Sequence, residues 1–337
     1  MMRGKTIGLF GPIFVLSMLS LQQEVRAAPP YYEGKRVTIV VGTEPGGGYD
    51  RTGRLIAKYL PKYLPGNPTV IVENMPGAGH MIAANYIYNV AKPDGLTLGT
   101  YNRGLPFAQL TKADGVRFDM RKYSWIGSAS VDPTLFLVRS DLPYKTVDDL
   151  RKVKEAIPVG SEGLGTSGHQ FSLLLMEFAK LRMKMIVYPS GAASRLAIER
   201  KEVDARSGSY SSEKNLIDRG LIRPMIRGRV SVPEIEKLPM NEDLTSDPKG
   251  KVIMAMLSSV DLIGRPFMAP PGTPAEVMKI LREAFSKETK DPELQAEARK
   301  LMMSVEDVPA DQCLKTLDYL FNQPEEIVKE FSKYVKF

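Results

Sequence analysis

Cysteine is nearly missing. One thiol, Cys313, stands in 337 residues, so no disulfide forms within the chain and a cysteine-built metal site is excluded. Such a thiol is expected as a small buried hydrophobe. Histidine is almost as scarce, with only His80 and His169. Neither falls in an H-E-x-x-H pattern and no calcium loop occurs, so neither a metal nor a cofactor is expected. G-x-S-x-G is missing too. Ser167 lies two residues from His169, yet nothing in the sequence supplies an acid to orient that histidine. No catalytic residue is therefore assigned. Carboxylate pairs such as Asp148-Asp149 and Glu325-Glu326 read as solvated helix starts. Lys and Arg never mass into a tract, which argues against nucleic acid.

Long apolar runs are missing apart from Ile7 to Leu21, about 15 residues, where a membrane span needs roughly 20. Arg3 and Lys5 precede this run and Val25-Arg26-Ala27 follows it. That is the layout of a secretory signal peptide over residues 1–28, cleaved near Ala27. No cysteine follows the run, so a lipid anchor is not expected.

What is present is ordinary for a globular protein: 43% apolar and 25% charged residues. Net charge is +7. Removing the leader takes away three positive charges and one negative, which leaves +5. A modest, evenly spread positive field favours anionic ligands. β-Branched strands alternate with amphipathic helices from Arg36 to Tyr101, and the alternation resumes from Trp125. The pattern predicts right-handed parallel α/β layers. Two lobes are expected, residues 29–130 with 256–337 and residues 131–255, the helical C-terminal segment returning to the first. An α/β chain divided in this way encloses a cleft, the usual home of a small ligand.

Two glycine loops carry the strongest signal. Pro45-Gly46-Gly47-Gly48-Tyr49-Asp50 sits between a strand and a helix. Bare backbone N–H groups and the helix start together make an anion site. A plain tight turn capped by Asp50 reads equally well. The second loop holds Gly163, Gly165 and Gly168 in G-x-G-x-x-G spacing. A dinucleotide-binding enzyme would need an acid about 20 residues on, and the strand there ends Val187-Tyr188-Pro189 without one. The segment reads better as a polar helix start, with Thr166 and Ser167 offering hydroxyls and His169 beside them. Simple helix capping is the alternative. Arg206 is expected at a strand end facing the interlobe region, followed by Ser209, where it would hold a carboxylate bidentately. A surface arginine is the plainer reading. Arg103 is a similar, weaker candidate. His80 reads as an exposed helix-start residue.

PGGGYDRTGR (45–54), VENMPGAGHMIAANYI (72–87), AKPDGLTLG (91–99), GTSGHQ (165–170) and GRPFMAPPGTP (264–274) occur in one order. In this the chain resembles the substrate-binding receptors of tripartite tricarboxylate transporters, also called the Bug family. The resemblance implies a two-lobed periplasmic-binding-protein fold of the type II, Venus-flytrap kind. It implies a periplasmic receptor that is not an enzyme. Such a receptor holds a small organic anion, a carboxylate, and hands it to a two-subunit membrane permease. Carried onto this chain, it supports Gly46, Gly47, Gly48 and Asp50 in the first lobe and Thr166, Ser167 and His169 in the second. Tyr49 in the first loop and Ser190 join them as candidates. The family commonly has a Tyr-Lys-Gly-like turn where this chain has Tyr188-Pro189-Ser190-Gly191. It usually has apolar residues where Arg206 stands, so a citrate-like ligand does not transfer directly. A sensory co-receptor would use the same closed lobes. A monomer is expected, because the lobes must close freely.

Overall fold

The structure is a computed structural model that describes Met1 and residues 29–337. The leader and its cleavage near Ala27 lie outside the described residues. Among the described residues no helix is long and apolar enough to cross a membrane.

The chain opens with β1 (Arg36–Val41), α1 (Gly48–Tyr59), β2 (Thr69–Asn74), α2 (Met81–Asn89), β3 (Thr97–Thr100), α3 (Leu105–Leu110) and β4 (Ser124–Ser128). It continues through β5 (Thr134–Arg139), α4 (Val147–Arg151), β6 (Ile157–Ser161), α5 (Ser167–Phe178), β7 (Met183–Val187), α6 (Gly191–Glu199), β8 (Ala205–Ser209), α7 (Tyr210–Asp218) and β9 (Ile222–Arg227). Then come α8 (Pro248–Ser259), β10 (Pro266–Ala269), α9 (Ala275–Thr289), α10 (Pro292–Lys300), β11 (Val308–Pro309), α11 (Ala310–Phe321) and α12 (Glu325–Tyr334).

The strands form two sheets, ordered β11-β4-β10-β3-β1-β2 and β7-β6-β8-β5-β9. β1 pairs in parallel with β2 and β3, and β6 with β7 and β8. The layers are mixed rather than wholly parallel, for a topological reason. Each sheet takes in the strand that has just crossed from the other lobe, and that strand runs backwards. β5 is antiparallel to β8 and β9, and β10 to β3 and β4. α8 runs to Ser259, across the division drawn at 255/256.

The two crossing segments lie side by side. Ala129 N–H donates to the Arg265 carbonyl (2.8 Å), Gly264 N–H to Ser130 (2.9 Å) and Asp132 N–H to Asp261 (2.9 Å). A β-carbon on Gly264 would fall 2.5 Å from that of Asp132, so only glycine lets the two connections approach this closely.

Apolar side chains fill both faces of each sheet. Ile39, Ile56, Phe267 and Phe285 pack in the first lobe, and Leu135, Leu137, Ile198 and Val203 in the second. A third cluster runs without a break from Trp125 and Phe107 to Phe136, Phe171 and Phe331. Cys313 is buried in it, and burial pushes its thiol up to about 12. α12 differs from expectation. It packs on α5 and α8 of the second lobe rather than on the first lobe alone. Phe331 meets Phe107 of the first lobe (centroids 5.2 Å apart) and Tyr334 meets Phe178 of the second (5.0 Å). Beyond it, the Lys336 carbonyl accepts from the Gly165 N–H at 3.0 Å.

Candidate functional site

α1 and α5 each begin with a residue that offers no side-chain cap, Gly47 and Thr166. The first N–H groups of a helix have no partner inside it. Both helix starts border one cavity between the lobes, through Gly47, Gly48 and Tyr49 on one side and Thr166, Ser167 and Gly168 on the other. The two lobes touch across it. Asn102 Nδ2 donates to the Gly165 carbonyl at 2.8 Å, and Ser167 Oγ lies 3.5 Å from Asn102 Oδ1.

The remaining candidates divide. Ser209 borders the cavity and its Oγ accepts from Arg265 at 3.0 Å. Tyr49 borders it, with its hydroxyl accepting the Arg103 N–H at 2.9 Å. Thr166 also borders it, but its hydroxyl donates to the Gly163 carbonyl (2.9 Å) and is spent on the loop. Arg103 borders it, yet its guanidinium binds Asp261 (2.9 Å), Thr134 Oγ1 (2.7 Å) and the Asp132 carbonyl. Burial alone would lower the Arg103 pKa, and the Asp261 and Asp132 charges raise it. Its partner Asp261 is pushed up to about 6 by burial, against the pull of Arg103.

Five candidates lie off the cavity wall. Asp50 is buried behind the first loop. It accepts from Gly46 N–H (2.8 Å), Arg54 Nε (3.1 Å) and Asn74 Nδ2 (2.9 Å). Burial would raise its pKa, but these bonds hold it below the ordinary carboxylate range. It shapes the loop, and Gly46 spends its N–H on it. His169 turns inward, its Nδ1 2.6 Å from Ser161 Oγ. Burial lowers its pKa, so the ring is neutral. Ser190 caps α6, accepting the Ala193 N–H at 3.2 Å, and borders a neighbouring groove. Arg206 corrects the expectation most. It stands within β8 rather than at a strand end and is only 1% exposed. Its guanidinium is taken by Glu213 (3.2 Å), Glu162 (3.7 Å) and the Gly191 carbonyl (3.3 Å).

Sequence reasoning passed over several wall residues. Arg265 Nη2 reaches Asp132 (2.8 Å), Ser211 (3.0 Å) and Ser212 (3.1 Å), and its guanidinium carbon sits 4.8 Å above the Tyr49 ring. Arg195 reaches across the cleft to the Gly46 carbonyl (3.4 Å) and, among the described residues, forms no ion pair. Arg51, on α1, lies near Arg195 and Arg265 but off the cavity wall, and its Nε has no partner. Burial lowers both pKa values, and Arg195 and Arg265 lower that of Arg51 further. Arg51 and Arg265 stood inside two of the quoted motifs, which were read for their glycines. Nothing local marked Arg195.

His80 is buried rather than exposed. Gly77, Ala78, Gly79 and His80 all have positive φ (123°, 45°, 59° and 77°). Left-handed backbone at two non-glycine residues is strain stored at the cavity wall. His80 Nδ1 accepts the Asn102 N–H at 3.2 Å. Burial and Arg265 push its pKa down to about 4. The ring is therefore neutral with its proton on Nε2, a donor without charge.

A two-lobed α/β shell with amide-rich loops and arginines around the joint is the architecture of a solute-binding receptor. The model of the tripartite tricarboxylate transporter family receptor matches residues 53–332. The chain belongs to that family and is a receptor, not an enzyme. It is 30% identical over 266 residues to a UPF0065 protein of Bordetella pertussis, covering 75% of this chain and 76% of the relative. Among solved structures it is similar to the periplasmic binding protein BugD, with TM-score 0.72, 20% identity, and 91% and 100% of the two chains covered. It is also similar to R. palustris Rpa4515 with adipate, with TM-score 0.71, 19% identity, and 90% and 99% covered.

Proposed function

We propose that this receptor works in the periplasm, captures a small carboxylate between its lobes, and delivers it to a two-subunit membrane permease as a monomer. The observation that carries the reading is the meeting of two uncapped helix starts, one from each lobe, in a single cavity. Preorganised N–H groups and helix dipoles hold an anion with no chemistry done on it. Gly47, Gly48, Tyr49, Ser167 and Ser209 are the contacts assigned from the expected set, with Arg195, Arg265 and His80 beside them. Gly46, Asp50, Thr166, His169, Ser190, Arg103 and Arg206 support this wall from behind or from its edges. The relative solved with adipate supports a carboxylate as the ligand class.

A thermal-shift screen of mono- and dicarboxylates tests this. A bound acid at one hundred times its Kd stabilises the native state by about 2.7 kcal/mol, which raises the melting temperature. Arg195→Ala is expected to weaken the bound acid about tenfold, the loss of one charge-assisted contact. A melting temperature raised only by neutral sugars or divalent metals overturns the reading.

A further inference from the structure

The loop between β6 and α5 leads into the helix start that the second lobe offers the cavity. Part of it is held locally. Gly163 N–H donates to Ser161 Oγ at 3.0 Å, and the Thr166 hydroxyl donates to the Gly163 carbonyl at 2.9 Å. Gly165 finds both of its partners far away in the chain. It is buried and left-handed, with φ of 81°, so its N–H and its carbonyl each need one. The carbonyl accepts from Asn102 Nδ2 of the first lobe at 2.8 Å. The N–H donates to the Lys336 carbonyl at 3.0 Å. Gln170 Nε2, in the first turn of α5, donates to that same oxygen at 3.2 Å. One carbonyl thus uses both lone pairs to join the loop to the helix behind it. The Phe337 ring closes the arrangement. It lies so near Gly165 that a β-carbon there would fall 2.8 Å from it.

Lys336 and Phe337 reach the loop from α12. Val335 before them is buried, and Phe331 one turn earlier is seated on Phe107 of the first lobe. The loop is therefore tied to the first lobe twice, directly through Asn102 and indirectly through the residues after α12. Neither Lys336 nor Phe337 borders the cavity.

We propose that Lys336 and Phe337 are positioning residues for the ligand. Through Gly165 they fix the direction of the α5 start, and so of the Ser167 and Gly168 N–H groups, without touching the bound molecule. The inference rests on the receptor reading above and adds to it. Amides aimed in advance need no ordering when the anion arrives, and affinity gains accordingly. Without the Lys336 carbonyl, the Gly165 N–H is left without a protein partner. The loop then turns that N–H towards water and carries the helix start with it.

Three variants test this: a chain ending at Val335, Phe337→Ala, and the conservative Phe337→Leu. Amide hydrogen exchange is followed by NMR in the empty protein, and succinate and adipate are titrated calorimetrically. In the chain ending at Val335 the Gly165 amide is expected to exchange at least about tenfold faster, while β6 amides such as Val159 keep their protection. The bound acid should weaken by about tenfold or more, the cost of ordering the loop on binding. Phe337→Ala should fall between this chain and the native protein, and Phe337→Leu should restore binding. If the shortened chain does not fold, Phe337→Ala decides the question. Native affinity or native Gly165 exchange in the variants overturns the proposal. So does faster exchange that extends equally to β6, the mark of general destabilisation. In those cases acids still bind the native protein and the receptor reading stands. Failure of both acids to bind the native protein counts against the receptor reading instead, and exchange at Gly165 then decides whether the residues after α12 hold the loop.

Discussion

Glu288 lies on the inner face of α9 with no exposed surface, and neither carboxylate oxygen finds a partner. Burial, and then the charge of Asp291, raise its pKa well above the usual 4.5. Below about pH 4.5 native and unfolded chains both hold this proton and stability is complete. As the pH rises past that point the unfolded chain releases its proton first, so stability falls until the native pKa is passed. Glu288→Gln should therefore stabilise the protein at pH 7 by about 1–3 kcal/mol, because the amide has no proton for the unfolded chain to release. Denaturant melts at pH 7 and pH 4 check this, and the gain should shrink at pH 4. A gain equal at both values disproves the assignment. Residues of this kind are what the sequence conceals. The glycines at 47 and 48 were legible because bare amides need no direction. Asp50, His169 and Arg206 were not, because a strand or helix residue faces the cleft or the core according to a register that sequence fixes only to within a residue or two. Arg195 and Gly46 meet across 149 positions, and no local pattern carries that information.

α1 begins at Gly48, against the second lobe. A β-carbon there would lie 2.6 Å from Ser212 Oγ and 2.7 Å from Arg265 Nη2, two atoms already held in one hydrogen-bonded group. Gly48→Ala is expected to leave the fold and melting temperature of the empty protein intact while weakening the bound acid at least tenfold, because the lobes stop short of contact. Titration calorimetry beside a melting curve separates the two effects; a variant that binds normally disproves them. Most elements were readable from period and punctuation. A capping box of Thr146 and Asp149 starts α4, at the helix start that Asp148-Asp149 marked. β8 spans Ala205–Ser209, which puts Arg206 inside the strand rather than at its end. It is short, rich in Ser and Gly, and held by its neighbours rather than by its own propensity. The backward-running β5 and β10 were illegible because strand direction depends on which lobe the chain has just left.

Arg51 and Arg195 repel each other between the lobes, offset in part by the charge of Glu213. Closure without an anion therefore sets like charges together, and an anion between them removes the penalty. A ligand that favours one arrangement shifts the population towards it. Small-angle scattering should show a radius of gyration that falls when a bound acid is added, and Arg195→Ala should close more readily when empty. An unchanged radius on saturation would count against coupling between binding and closure. The overall plan was the most legible level, since five motifs in one order specify a family more firmly than any one of them specifies a residue.

The last helix adds a condition of its own. One of its rings is seated in each lobe, and the residues after it hold the loop at Gly165. Phe331 is wholly buried and Tyr334 only partly so. Any opening of the lobes must strain or break one of these two contacts, and the half-buried Tyr334 has less to lose than the buried Phe331.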